Sequence, residues 1–403
     1  LDIAISGMGV VSTAGYELED FWNYLYGGNI SYGVVDEFNN PNYRVHIGAV
    51  IKDNMWRENL TDCENVFEYG RASQYAASAV LRAFVDANLD RMSLKDTRIA
   101  LCIGTTMGEV DYEENISELL VKDDANDLPD IKKMAYRYSS DNIAEGICDM
   151  LGIRANYYMI PAACSGGNYA IALGEKLLRA NKADIVIAGG VDVFSRVAFT
   201  GFHRLLTLSP DYCRPFDKKR RGLVIGEGCG FVVMEEKEQA KKRTDIHGCL
   251  LGAGVKSDRY HMVSPHPDGD GAYRAMKEAI QTAQIGKDDI DYISAHGTGT
   301  SSNDRIEAHV LQQLFGEENI PPTSSIKSML GHSMGAASIL ECIASLLMME
   351  KKIMLPTVNL IEKDECVTFN CVPNTPQKNK MSYVMSNSFA FGGQVGSIIL
   401  KGK

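Results

Sequence analysis

The chain has 403 residues, 45% of them hydrophobic and 23% charged, a length that suggests two core-forming halves in an otherwise ordinary globular composition. Its formal net charge of -11 argues against a nucleic-acid partner, because phosphate binding needs a basic surface. No apolar run reaches the roughly 18 residues of a membrane span.

The opening residues, Leu1-Asp2-Ile3-Ala4, enter a strand pattern without the basic and apolar segments of a secretion signal. The ten cysteines, at 63, 102, 148, 164, 213, 229, 249, 342, 366 and 371, include no CxxC pair. Neither a metal site nor a disulfide framework is expected, and the reading is a cytoplasmic protein with reduced, mostly buried thiols.

In chain order, residues 3–11 read as a buried strand, 71–87 as a helix, and 99–103 as a strand opening into Gly104-Thr105-Thr106-Met107-Gly108. An apolar strand over Tyr157-Tyr158-Met159-Ile160 runs into a small-residue turn and a helix over 167–180. Strands follow at 184–188 and 231–234. The charged stretch 235–243 reads as a junction between halves or, equally well, as a solvated helix. Then come a strand at 249–255, a helix at 271–284, a strand at 292–295, helices at 304–315 and 336–350, and closing strands at 383–386 and 396–401. Such alternation predicts an α/β fold in layers with mostly parallel sheets. Each half carries a strand, a Gly-rich turn and a long apolar helix, which suits a duplicated fold divided into residues 1–245 and 246–403.

The sharpest local feature is Pro161-Ala162-Ala163-Cys164-Ser165-Gly166-Gly167, between a strand and a helix. A Cys there meets the unpaired N–H groups and dipole of a helix N-terminus, which favour a thiolate. A buried structural Cys is the plainer alternative for any one cysteine. The small neighbours leave room for a substrate and make Cys164 the candidate nucleophile.

Such a nucleophile needs partners that handle protons or charge. His296, in Ser294-Ala295-His296-Gly297-Thr298-Gly299-Thr300, follows a strand and opens a Gly/Thr turn. His332, in Lys327-Ser328-Met329-Leu330-Gly331-His332, precedes a long apolar helix whose N-terminus would disfavour imidazolium and leave a neutral N–H donor. Lys327 is wedged among small residues ahead of that helix, which suits a charge role. Asp304 and Glu307 share one helix face, where a carboxylate could hold Lys327 or a histidine. His46, His203, His247 and His309 read as core or surface histidines. His261 and His266 lie in a proline-broken loop, whose irregular spacing fits a loop near the site better than a metal cluster.

Together these motifs resemble the β-ketoacyl-acyl carrier protein synthase family of the thiolase fold, nearest to its elongating members and the type II polyketide ketosynthases. The resemblance spans nearly the whole chain. It rests on Ile5-Ser6-Gly7-Met8-Gly9, Cys213-Arg214-Pro215-Phe216-Asp217 with Gly226-Glu227-Gly228, the two histidine motifs, and Asn387-Ser388-Phe389-Ala390-Phe391-Gly392-Gly393. It implies an α/β, five-layered α-β-α-β-α architecture of duplicated halves. It also implies an acyltransferase without cofactor or metal, which condenses a Cys-bound acyl group with malonyl-acyl carrier protein in fatty acid or polyketide elongation. Cys164 would accept the acyl group, and the N–H groups of Cys164 and Phe391 would form the oxyanion hole. His296 and His332 would donate to the malonyl thioester carbonyl. Lys327 with Glu307 would organise the histidines. Thr298 and Thr300 would contact the carrier's arm, Gly392 would belong to the substrate-binding loop, and Phe391 would be the gate. The implied partners are an acyl carrier protein and a second subunit, in a homodimer or a heterodimer; no nucleic acid or membrane is among them.

Two departures stand out. Ala390 replaces a common glycine and is expected to restrict the loop, because a Cβ removes positive-φ freedom. Arg221 replaces a common acidic residue and completes Lys218-Lys219-Arg220-Arg221, a basic run that would either dock an acidic carrier or form a solvated turn. A chain-length-factor-like partner subunit is the second reading, and retention of Cys164, His296, His332 and Lys327 speaks against it. A thiolase acting on coenzyme A esters is a third, disfavoured by the second histidine and Lys327.

Overall fold

Strands rich in Ile, Val and small residues build a ten-stranded sheet in two halves. The computed structural model describes residues 1–39, 41–122 and 128–403. The first half holds β1 (Ile3–Ser12), β2 (Ile99–Gly104), β3 (Asn156–Ile160), β4 (Ile185–Asp192) and β5 (Gly228–Glu236). The second holds β6 (Gly248–Ser257), β7 (Tyr292–Ser294), β8 (Thr323–Ser324), β9 (Tyr383–Phe389) and β10 (Gln394–Gly402). The spatial order is β3-β2-β4-β5-β1-β6-β10-β9-β7-β8. Each half therefore runs third, second, fourth, fifth, first, with its first strand toward the middle.

Strand directions repeat as well. In each half the second strand pairs parallel with the third and fourth, and the fifth pairs antiparallel with the fourth and first. The sheet is thus mixed, which corrects the expectation of mostly parallel pairing. The reason is plain in the second half: β10 follows β9 after a turn at 390–393 too short for a crossover, so it must return antiparallel. The first half keeps the same pattern across a longer connection. Among the described residues the strands of the two halves pair between Ile3–Ile5 and Gly248–Leu250.

The main helices also correspond: α1 (Arg71–Asp86), α2 (Asp141–Leu151) and α3 (Gly166–Arg179) in the first half, α4 (Asp270–Ala283), α5 (Ser301–Phe315) and α6 (Ala337–Lys351) in the second. Helix α1 lies on β1 so closely that a Cβ at Gly9 would stand 2.0 Å from the Ala79 carbonyl. Helix α4 lies on β6 in the same way, with Gly254 meeting the Ala275 carbonyl at 2.0 Å. These matched glycines are the clearest trace of duplication. Helices α3 and α6 pack on each other and on strands of both halves, forming the middle of five layers. Helix α6 is apolar on nearly every side and buried from Ala337 to Met349, as a helix covered by strands of both halves must be.

Sequence periodicity did not give β8, of two residues, or the helices at Leu18–Tyr26, Val110–Lys122, Leu128–Arg137, Asp141–Leu151 and Arg196–Arg204. Among the described residues no helix is long and apolar enough to cross a membrane.

Candidate active site

The turn that carries Cys164 is built from both halves. Ala163 sits in the left-handed region at φ 43, and the matching turn before α6 has Met334 at φ 49. These bends end an incoming segment and start a central helix, so Cys164 and Gly335 occupy corresponding positions. Beneath them lies Asp192, at the end of β4 and wholly buried. Its carboxylate accepts from Gly335 N at 2.6 Å, Met107 N at 2.8 Å, Thr106 N at 2.9 Å and Thr105 Oγ1 at 2.9 Å. A Cβ at Gly335 would come within 2.7 Å of this carboxylate, so glycine is required there by close approach.

Cys164 opens onto a cavity lined also by His296, His332, Thr298, Thr300, Phe389 and Phe391. Burial pushes the thiol up to about 12. The Lys327 charge and the backbone N–H groups of Cys164 and Phe391 pull it down, and Asp192 pushes it further up. Burial therefore opposes the thiolate that the helix N-terminus and Lys327 favour.

His296 follows β7. Its N–H and that of Gly297 donate to the two oxygens of Glu307 on α5, at 2.7 and 2.8 Å. The His296 and His332 rings meet edge to face, 5.5 Å between centroids. His332 is held by its backbone, donating to the Val224 carbonyl at 2.7 Å and accepting from Gly226 N at 2.9 Å. Both imidazoles are held well below the usual histidine range, by burial first and the Lys327 charge next. Burial, not a helix terminus, is the first cause for His332; three residues of 3-10 turn precede α6.

Lys327 is buried, and its Nζ lies 3.5 Å from His296 Nδ1. Its ion-pair partner is Glu341 of α6, which sequence reasoning missed. Glu307 forms no ion pair with Lys327; of the two roles its place left open, holding the lysine or a histidine, it takes the second and fixes the backbone of the His296 turn. Asp304 accepts from Phe216 N at 2.8 Å and Gly299 N at 3.2 Å, bracing the same turn. A signal for Glu341 was available: it is the one carboxylate within Ala337–Met349, and a buried charge must be paired.

The remaining expectations divide. Thr298 and Thr300 line the cavity with their hydroxyls 2.9 Å apart. Val263, Ser264 and Pro265 of the proline-broken loop line it too. Gly392 is exposed and is not part of the lining; its N–H donates to the Met262 carbonyl at 2.7 Å. Ala390 is extended, φ -128, so its Cβ meets no positive-φ demand in this conformation. The basic run is largely neutralised: Lys218 pairs with Glu362 and Glu365, Arg220 is buried against Asp364, and Arg221 pairs with Asp211.

Residues 1–240 match the family described as β-ketoacyl synthase, N-terminal domain, and residues 247–361 match its C-terminal domain. The chain is 32% identical to 3-oxoacyl-[acyl-carrier-protein] synthase 2 of Coxiella burnetii, over 99% of this chain and 98% of that one. It is 31% identical to the Vibrio harveyi enzyme of the same name, with the same coverage. Among solved structures it superposes on the ishigamide ketosynthase/chain length factor with a TM-score of 0.93 at 32% identity, covering 100% of this chain and 99% of that one. A β-ketoacyl synthase from Burkholderia phymatum gives 0.90 at 29% identity, with the same coverage.

Proposed function

The chain belongs to the β-ketoacyl synthase family, and on that premise we propose that it is the catalytic subunit of an elongating condensing enzyme. It takes an acyl group from a carrier protein onto Cys164 and joins it to a malonyl unit with loss of CO2. The observation that carries this reading is the convergence of Cys164 and two neutral imidazoles on one cavity, with the N–H groups of Cys164 and Phe391 directed at the sulfur.

In the first step Sγ attacks the acyl thioester. The thiol proton passes to a neutral ring nitrogen in the cavity, and the carbonyl oxygen develops charge against the two backbone N–H groups. The carrier thiol leaves with a proton. In the second step the malonyl thioester oxygen accepts N–H donors from His296 and His332, which stabilise the enolate formed as CO2 departs. Two neutral donors suffice, and burial with the Lys327 charge keeps them neutral. The enolate carbon then attacks the Cys164 acyl carbonyl, a C–C bond forms, and the C–S bond breaks. Departure of the sulfur as thiolate is helped by the Lys327 charge. Thr298 and Thr300 offer hydroxyls to the arm of the carrier, and Phe391 is the gate.

The reading includes a second subunit, a division of the chain at 245/246, and a cytoplasmic setting. The outer strand β3 supports the subunit: its free edge exposes Tyr157 and Tyr158. All ten cysteines are free, which suits reducing conditions. The repeated strand order supports the division.

The test is intact mass after incubation with acyl-loaded carrier protein, beside Cys164→Ala. An acyl-sized gain that is absent in the variant and discharged by malonyl carrier protein is expected. No gain with any acyl group would favour a non-catalytic partner subunit.

A further inference from the structure

We propose that Tyr32 and Asn359 are positioning residues for Lys327: their side chains hold the turn Lys327–Leu330 by its Ser328 carbonyl and so fix where the ammonium stands beside His296. The inference rests on the synthase reading above. Lys327 is anchored at its head by the ion pair with Glu341, and its Nζ lies 3.5 Å from His296 Nδ1. A contact at the head alone leaves the base of a lysine free to shift, because its four-carbon stem is flexible. Here the base is held from the other side of the turn.

The Tyr32 hydroxyl donates to the Ser328 carbonyl at 3.0 Å and accepts from Cys213 N and Asn359 Nδ2, both at 3.1 Å. One donor and two acceptor sites are all that a tyrosine hydroxyl offers, and all are used. The Asn359 amide also donates to the Cys213 carbonyl at 3.1 Å and to the Ser328 carbonyl at 3.3 Å. Asn359 stands in the left-handed region, φ 65, a conformation that asparagine tolerates better than most residues. Its neighbour Val358 donates from its N–H to Ser328 Oγ at 3.0 Å, and Ser31 N donates to the Met329 carbonyl at 2.9 Å. The turn that carries the ammonium is thus fastened at two successive residues by two segments far away in the sequence.

The same pair reaches the opposite wall of the site. Both backbone groups of Cys213 are bonded to Tyr32 and Asn359, and Cys213 Sγ donates to the Thr298 carbonyl at 3.3 Å. This gives a place to the Cys213-Arg214-Pro215-Phe216-Asp217 segment, whose first residue joins the two turns. Thr298 lines the cavity, whereas Tyr32, Asn359 and Cys213 do not. Tyr32 and Asn359 therefore act through what they hold, the Lys327 turn on one side and the Thr298 turn on the other. Loss of the Tyr32 hydroxyl would leave Cys213 N without its acceptor, and loss of either side chain would leave the Ser328 carbonyl with one donor fewer.

The Lys327 charge favours the Cys164 thiolate, so the rate at which iodoacetamide alkylates Cys164 reports where that charge stands. The experiment compares the parent protein, Asn359→Gly and Tyr32→Phe at about pH 7, with the alkylated residue identified by peptide mass. Glycine keeps the left-handed bend and phenylalanine keeps the ring, so each variant loses hydrogen bonds and little else. Tyr32→Phe carries the comparison if Asn359→Gly folds poorly. Alkylation of Cys164 should slow by about threefold or more in each variant, and turnover with acyl and malonyl carrier proteins should fall by about tenfold. In a Lys327→Met, Glu341→Leu background the same substitutions should leave alkylation within about twofold, because the charge they place is gone. Faster alkylation in the single variants, the sign of a loosened fold that exposes a buried thiol, would overturn the proposal. So would parent-like alkylation in both, or an equal slowing in the background that lacks Lys327. Failure of the parent to load any acyl group would instead overturn the synthase reading, while the alkylation rates would still decide whether Tyr32 and Asn359 place Lys327.

Discussion

The Lys327 ammonium and the Glu341 carboxylate form an ion pair with both side chains about 2% exposed, and the same ammonium stands beside His296. The pair joins a short helical turn at Lys327–Leu330 to the central helix α6. It places a fixed positive charge where both imidazoles and the Cys164 sulfur feel it.

Removing one partner should be worse than removing both. Glu341→Gln leaves a buried ammonium without its counter-charge and should cost about 3–5 kcal/mol of stability. The double variant Lys327→Met with Glu341→Leu should regain most of that loss, because two apolar groups replace two desolvated charges. It should remain inactive, since the charge that governs the histidines is gone. Urea titration and turnover, measured on the same preparations, separate the two effects. Recovery of activity in the double variant would remove Lys327 from the chemistry.

Burial holds the Cys164 thiol up to about 12, so only a small fraction is thiolate at neutral pH. Raising the pH increases that fraction, and alkylation of the resting enzyme by iodoacetamide should accelerate about tenfold per pH unit between roughly pH 7 and 10. The rate should not level off within that window. A plateau below about pH 8 would mean that the helix terminus and Lys327 outweigh burial after all.

Glu307 acts through the backbone. Its two oxygens accept from His296 N and Gly297 N. Glu307→Gln keeps the shape but turns one acceptor into a donor facing an N–H. The predicted outcome is a stability loss of about 1–3 kcal/mol and a fall in kcat of about tenfold to a hundredfold as His296 shifts. Acylation of Cys164 should fall less than condensation, because His296 is used chiefly at the malonyl carbonyl. Equal losses in both steps would count against that assignment.

Arg220 and Arg221 are neighbours with different work. The Arg220 side chain is 3% exposed and bonds Asp364, with Asp304 at 3.7 Å; Arg221 is 59% exposed and pairs with Asp211. Arg220→Ala should destabilise the fold by about 3–5 kcal/mol. Arg221→Glu should change stability by less than about 1 kcal/mol and should raise KM for a carrier protein if that surface meets it. Melting curves and carrier titrations on the two variants test this division.

Much of this site was legible because its chemistry sits in short, glycine-marked turns. Cys164, His296 and His332 each stand in a turn of small residues that declares itself without an alignment. What escaped notice were carboxylates that act at a distance in sequence. Asp192 lies some twenty-eight residues past Cys164 and holds its turn from below. Glu341 lies inside a helix whose periodicity speaks only of burial. Glu307 was visible, yet its partners are backbone N–H groups, which no side-chain pattern announces. In the fold, long apolar elements were read within a residue or two at several ends. Strand direction was not, because it depends on connections rather than on composition. The two-residue β8 is held by its place beside β7, not by its own sequence.

The central layer has a consequence for how the molecule comes apart. Helices α3 and α6 begin at the Cys164 and Met334 turns and are covered by sheet strands of both halves. The amides of the first turns of α3, and of α6 from Ala337 to Met349, can reach solvent only when the halves part, whereas α1 and α5, on the outside, can open locally. Amide hydrogen exchange should therefore be slowest just behind the reacting atoms, at a free energy equal to that of global unfolding. On heating, the outer helices would loosen while the nucleophile and its histidines kept their places, and activity would end in the same transition that ends the fold.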